Sequence, residues 1–139
     1  MDAERVEKEV GSESLKVYIF SFGFKHGVPV DANLLFDIRF LPNPYWQEHL
    51  RPKSGLELDV SGFVIDSDEG KEFLRLLKPL LLSIAVQTAR NRKELRIGIG
   101  CTGGRHRSVA VVEALALEFG QDPQFEVLSS HRDIGKDSG

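Results

Sequence analysis

Between Gly100 and Val109 the chain reads Gly100-Cys-Thr-Gly-Gly-Arg-His-Arg-Ser-Val109, placing glycines, a thiol, two hydroxyls and three basic side chains in one short stretch. A glycine-rich loop between a strand and a helix aims successive backbone N–H groups, and the positive end of the helix dipole, at whatever lies above it. That is the chemistry of an oxyanion site. Gly103 and Gly104 let the main chain curl and approach a ligand with no Cβ in the way. Arg105, His106 and Arg107 add side-chain donors, Thr102 lies in the same loop, and Ser108 either caps the helix or donates to a phosphate oxygen. The ligand predicted is a phosphate or a carboxylate. No Gly-x-x-x-x-Gly-Lys-[Ser/Thr] occurs in the sequence, so the loop is not of the Walker type.

A second chemistry uses the same residues. Cys101-x-x-Gly104-x-x-Arg107-Ser108 has the spacing of a cysteine-dependent phosphatase loop, in which a low-pKa thiolate attacks phosphorus while amides and an arginine hold the equatorial oxygens. Cys101 would then be the nucleophile, Arg107 the transition-state clamp, and Asp37 or Asp66 the acid for the leaving group. Gly100 stands where such loops carry a histidine before the nucleophile.

Several elements must position this loop. Leu95, Ile97 and Ile99 alternate as a strand that Gly100 ends, and Val109, Val112, Leu115 and Ala116 recur at helical spacing from about His106 to Phe119, with Gly120 as a left-handed stop. Leu15 to Phe22 is a first strand, apolar on both faces, which suits a covered sheet. The loop after it, Gly23 to Pro29, presents Lys25 and His26 where an α/β sheet places ligands, and is either half of the pocket or a plain surface turn with a solvated His26. Leu34 to Phe40 is a second strand, in which Asp37 and Arg39 either form an ion pair or leave Arg39 to line a pocket. Leu41 to Trp46 is stiffened by two prolines. Trp46 is assigned to the core, while Tyr45 and Arg51 are open between packing and the site.

Asp59 to Val64 is a short helix or a loop. Asp66 or Ser67 caps a long helix with a broad apolar face, which Pro79 is expected to kink or divide. Gln124 to Leu128 is a last strand, bringing His131 and Arg132 to the ligand side or into a solvated tail. The fold class expected is α/β: one domain with a mainly parallel central sheet flanked by helices.

The chain has 139 residues, the size of one ordinary domain. The expected organisation is a flexible leader over 1–14, the domain over 15–133 and a flexible tail over 134–139. A net charge of -3 gives no overall bias toward nucleic acid or membrane, so any nucleic-acid role must come from a local patch. The single cysteine suits a reducing compartment. No secretory signal or spanning segment is visible, and a cytoplasmic protein is expected. No pattern asks for a cofactor or a metal.

Four segments together resemble a known family. Ser21-Phe-Gly-Phe-Lys-His-Gly27, Phe36-Asp-Ile-Arg-Phe-Leu-Pro-Asn-Pro-Tyr45, Leu50-Arg-Pro52 with Ser54-Gly-Leu56, and Gly100 to Ser108 occur in the order and spacing of the C-terminal domain of the RapZ (YvcJ-like) family. The resemblance runs from about Leu15 to Arg132. In that family a kinase-like domain with Walker motifs normally precedes this region, and here only an acidic leader does, so nucleotide hydrolysis is not implied. The resemblance implies an α/β fold similar to part of phosphofructokinase, self-association into a homo-oligomer, and a pocket for an amino-sugar phosphate such as glucosamine-6-phosphate. The module would act as a sensor or adaptor. By position the pocket residues are His26, Arg39, Tyr45, Arg51 and the loop from Cys101 to Ser108. In enterobacterial members the resemblance also implies binding of small regulatory RNAs. Those members end in a basic tail, whereas this chain ends in Asp133-Ile-Gly-Lys-Asp-Ser-Gly139, which neutralises few phosphates.

Overall fold

The two most regular apolar runs become neighbouring strands at the centre of a sheet. A computed structural model describes residues 14–136. It contains strands β1 (Leu15–Gly23), β2 (Leu34–Asp37), β3 (Glu94–Cys101) and β4 (Phe125–His131), and helices α1 (Leu58–Ile65), α2 (Asp68–Thr88) and α3 (Arg107–Gly120). Single 3-10 turns at Phe24–His26 and Pro44–Trp46 complete it. The sheet has the order β2-β3-β1-β4 and every pair is parallel. The expected α/β architecture is therefore present, with a wholly parallel sheet. The leader expected over 1–14 falls on residues 1–13, outside those described, except for Ser14. Of the expected tail, 137–139 lie outside, and Ile134 and Lys136 are hydrogen-bonded to the domain through Arg105 and Asp133.

The helices share one face because of the direction in which the chain crosses the sheet. The connections β2 to β3, through α1 and α2, and β3 to β4, through α3, step the same way across the strand order. Right-handed crossovers of one sense put their helices on one side. Accordingly Val17, Ile19, Leu95, Ile97 and Ile99 form one core with Leu74, Leu77 and Leu81 of α2 and with Val111, Val112 and Leu115 of α3. The β1 to β2 connection steps the other way and carries only a 3-10 turn and a loop. The opposite face is thus covered by side chains rather than by helices: the Arg96 guanidinium lies 5.0 Å from the Tyr18 ring and 5.6 Å from Phe20, and pairs with Asp31 at 3.2 Å.

Four local expectations are corrected. The second strand stops at Asp37 rather than Phe40, because Asp37 Oδ1 accepts the Arg39 N–H at 3.1 Å and Leu41 N–H turns back to Ile38 O. Pro79 does not divide the long helix. It lies on the exposed side, as does Arg75, whose carbonyl loses its helical donor where water can replace it. Gly120 is inside α3 and has no positive φ, so the helix ends at Gln121 in an ordinary helical conformation. The last strand runs on to His131, in register with Ser21 of β1. Ser67 is the cap of α2, its Oγ accepting the Gly70 N–H at 2.9 Å. No described helix is long and apolar enough to cross a membrane.

The carboxyl ends of β1 and β4 are tied by Asp133, which is fully buried. Its Oδ2 accepts the Gly23 N–H at 2.8 Å, and its carboxylate pairs with Arg132 and Lys136, each at 2.8 Å. Burial works against ionisation of Asp133, but these donors outweigh it and hold the carboxyl well below the usual range. A group so depressed stabilises the fold above the ordinary carboxylate pKa and loses that contribution as pH falls below it. Asp133→Ala, which leaves the Gly23 amide without an acceptor, is expected to cost about 1–3 kcal/mol in urea unfolding at neutral pH. It should also flatten the decline of stability below about pH 4. A neutral-pH loss under about 0.5 kcal/mol would contradict this role for the tie.

Candidate functional site

The loop between β3 and α3 sits on the end of β1. Lys25 N–H donates to Thr102 O at 3.1 Å, and Gly104 adopts φ +78°, a left-handed conformation that favours glycine. A Cβ on Gly104 would lie 2.5 Å from Gly23 N and 3.0 Å from Asp133 Cβ, and a Cβ on Gly23 would run into the Gly103 carbonyl. The two main chains therefore touch, and no larger residue fits at either place. Among the described residues, none of the amides from Thr102 to Arg107 donates to a protein acceptor.

Above the loop is a cavity of about 270 Å3 lined by Asn43, Tyr45, Trp46, Cys101, Thr102, Gly103, Arg105, His106 and Arg107. Arg107 is only 5% exposed. Its Nη1 donates to Arg39 O at 2.7 Å and Leu41 O at 3.3 Å, while Nη2 leans on Thr102 Oγ1 at 3.4 Å. Burial lowers its pKa from the usual arginine value, yet a guanidinium this basic stays charged at neutral pH. The Arg107 side chain also interacts with Cys101, which lines the same cavity. His106 Nε2 lies 3.0 Å from Arg51 O, which makes that nitrogen the N–H bearer. Burial, aided by the charges of Arg105 and Arg107, pushes the His106 pKa down, so the ring is neutral at pH 7. Arg105 spans the rim, donating to Ile134 O and Pro52 O, each at 2.8 Å.

Cys101 is 2% exposed and faces Ser108. Its S–H lies 3.1 Å from Ser108 Oγ, and Ser108 N–H donates back to the sulfur at 3.4 Å. Ser108 therefore neither caps the helix nor points into the cavity; the cap position is His106, with no side-chain bond.

The aromatic wall is built by a short turn. Asn43 Oδ1 accepts the Tyr45 N–H at 3.1 Å, Pro44 starts the 3-10 turn, and Arg51 Nε donates to Tyr45 O at 2.7 Å. The Arg51 guanidinium also lies 4.8 Å from the Tyr45 ring, whose edge meets Trp46 at 5.3 Å between centroids. Trp46 is 71% exposed, which corrects its assignment to the core. Its neighbours hold it at the cavity mouth, where packing against the sheet is not available.

Of the residues singled out from the sequence, the cavity wall brings together Tyr45, Cys101, Thr102, Gly103, His106 and Arg107. Gly104 and Ser108 lie in the layer beneath, and Arg51 stands one layer back. Arg39 contributes its carbonyl, not its side chain. Its guanidinium is bidentate on Asp37, at 2.9 and 2.6 Å, and lies 4.2 Å from the Phe24 ring. His26 is in the neighbouring turn and is not part of the wall; its Nε2 is buried with no partner among the described residues. Asp37 is held ionised by the Arg39 hydrogen bonds, which lower its pKa, and Asp66 closes α1 with its N–H on Gly62 O. Asn43 and Trp46 escaped the sequence reading. The only signal for them was an Asn-Pro step before two aromatics, which marks a capped turn but not the direction in which it faces. Among the described residues no cluster of three or more His, Cys, Asp or Glu is placed to hold a metal.

Comparison with known proteins agrees with this geometry at the level of family. The sequence model of the RapZ C-terminal domain matches residues 15–135. A nucleotide-binding protein of Brevibacillus brevis is 46% identical over 136 residues, covering 96% of this chain and 46% of that protein. One from Halalkalibacterium halodurans is 48% identical over 124 residues, covering 88% and 41%, and one from Rhodococcus erythropolis is 40% identical over 138 residues, covering 96% and 46%. The chain spans less than half the length of these relatives. With the match extending from the first strand to the turn after the last, the chain belongs to the RapZ C-terminal domain family.

Proposed function

We propose that the cavity binds a phosphorylated amino sugar such as glucosamine-6-phosphate, and that the domain acts through this binding as a non-catalytic sensor or adaptor. The observation that carries the reading is the run of amides from Thr102 to Arg107, without acceptors among the described residues, in a loop whose Thr102, Gly103, Arg105, His106 and Arg107 line the cavity. Gly103, Gly104, His106 and Arg107 are buried residues; buried amides in this state are donors in want of an acceptor, and an oxyanion supplies several lone pairs at once. His26, whose buried Nε2 has no partner among the described residues, is on the turn hydrogen-bonded to the same loop but is not part of the cavity wall. The identity of the sugar comes from the family resemblance, as do self-association and any contact with RNA. A nucleoside phosphate is the nearest competitor, since the relatives are named nucleotide-binding proteins. A cavity of about 270 Å3 is at the small end for such ligands and suits a single ring with its phosphate better.

Cys101, Arg107 and Ser108 support a second reading, a cysteine-dependent phosphatase, because the sulfur takes a hydrogen bond from the Ser108 amide, as a thiolate would require. Two observations weigh against it. Arg107 Nη1 is committed to two carbonyls, and Asp37, one of the two acids considered, is kept deprotonated by Arg39. A general acid must carry its proton at working pH. Asp66, the other, is not among the residues lining the cavity.

Two measurements separate the readings. In calorimetry at modest salt, glucosamine-6-phosphate should bind the wild type more tightly than AMP, and Arg107→Lys should weaken it about 10- to 100-fold, the loss of one charge-assisted hydrogen bond. Affinity unchanged by Arg107→Lys, or no binding at all, overturns the proposal. With p-nitrophenyl phosphate no turnover is expected; turnover that disappears in Cys101→Ser would install the phosphatase instead.

A further inference from the structure

Aromatic rings in this protein repeatedly carry a cation. Arg39 covers Phe24, Arg51 covers Tyr45, Arg96 covers Tyr18 and Phe20, and Arg132 covers Phe22, with separations of 4.2 to 5.7 Å. Among the described residues Trp46 carries none, although indole is the strongest of the aromatic side chains at holding a positive charge. It is 71% exposed, lines the same cavity as Gly103 and Arg107, and is fixed in place through Tyr45 by Asn43 and Arg51. Tyr45 already has Arg51 against its ring.

The cavity lining also contains no aspartate or glutamate. A ligand ammonium entering it would meet two arginines and a neutral histidine, and no carboxylate on the wall to neutralise it. The geometry points to the open face of Trp46 as the seat of the ligand's ammonium group, so that this one side chain distinguishes an amino sugar from its neutral counterpart. The inference rests on the proposed amino-sugar phosphate reading and adds to it the group that selects the amine. The phosphoryl group lies at the loop amides, away from the rim. The sugar ring then spans from anion cup to indole, with its apolar C–H face available to the same aromatic surface.

Because Trp46 is exposed, its replacement leaves the core intact, and melting temperatures of Trp46→Leu and Trp46→Phe should match the wild type. In calorimetry the wild type should bind glucosamine-6-phosphate about two- to fivefold more tightly than glucose-6-phosphate, the size of one partly exposed cation–π contact. Trp46→Leu should bring the two ligands to equal affinity, and Trp46→Phe should restore part of the difference. Inorganic phosphate should bind all three proteins alike. Since this is the chain's single tryptophan, its emission should also respond more to the amino sugar than to the neutral one. Equal wild-type affinity for both sugars, or a preference that survives Trp46→Leu, overturns the assignment while leaving the phosphate site standing. Absence of binding by any phosphate, inorganic phosphate included, removes the site itself.

Discussion

The main chain of Gly104 lies against that of Gly23, with the Asp133 carboxylate beneath, and the remainder of the site depends on that contact. It brings the ends of β1 and β3 together closely enough for Lys25 to bond Thr102, and it sets the path of the loop before α3 begins. With no Cβ at either glycine, the loop sits low on the sheet. Among the described residues its amides from Thr102 to Arg107 then have no acceptor. Acidic support from below is tolerable because Arg132 and Lys136 neutralise the carboxylate locally, so the loop retains its positive polarisation on the cavity side.

A second set of contacts fixes the walls rather than the floor. Three arginines use their donors on backbone carbonyls: Arg107 on Arg39 and Leu41, Arg51 on Tyr45, and Arg105 on Pro52 and Ile134. Arg107 and Arg105 join segments distant in sequence, and Arg51 closes its own loop on Tyr45 six residues back, which is how irregular chain around a parallel sheet is made rigid without secondary structure. These side chains therefore combine two functions. They order the loops, and Arg105 and Arg107 also leave a concentration of positive charge at a cavity with no acidic wall.

Much of this was readable in the sequence, and the reasons differ by residue. Leu95, Ile97 and Ile99, followed by glycines and then Val109 and Val112, could be placed because strand and helix periodicities switch across a few residues. The curl of the main chain at Gly104 was readable from the paired glycines, but the close approach expected there was to a ligand, and the one found is to the main chain of Gly23, which lies far off in sequence. The fate of Arg39 and Trp46 was not readable. Arg39 sits in a strand-like alternation, yet its side chain is taken by Asp37 two residues away, a contact that ends the strand. Trp46 looks like core by type, and its exposure depends on the Asn43 cap and on Arg51, a pairing with no local signature. Pro79 shows the reverse case, in which a helix breaker is absorbed because the Arg75 carbonyl it leaves without a donor is on the exposed side of the helix.

The central claim concerns backbone N–H groups, and amide-resolved NMR reads them directly. On titration with inorganic phosphate and then glucosamine-6-phosphate, the 1H–15N signals of Gly103, Gly104, His106 and Arg107 should move downfield together and saturate with a single dissociation constant for each ligand, as amides do on donating to an anionic acceptor. Loop amides that stay fixed while another surface responds, or no saturable response anywhere, would contradict the account.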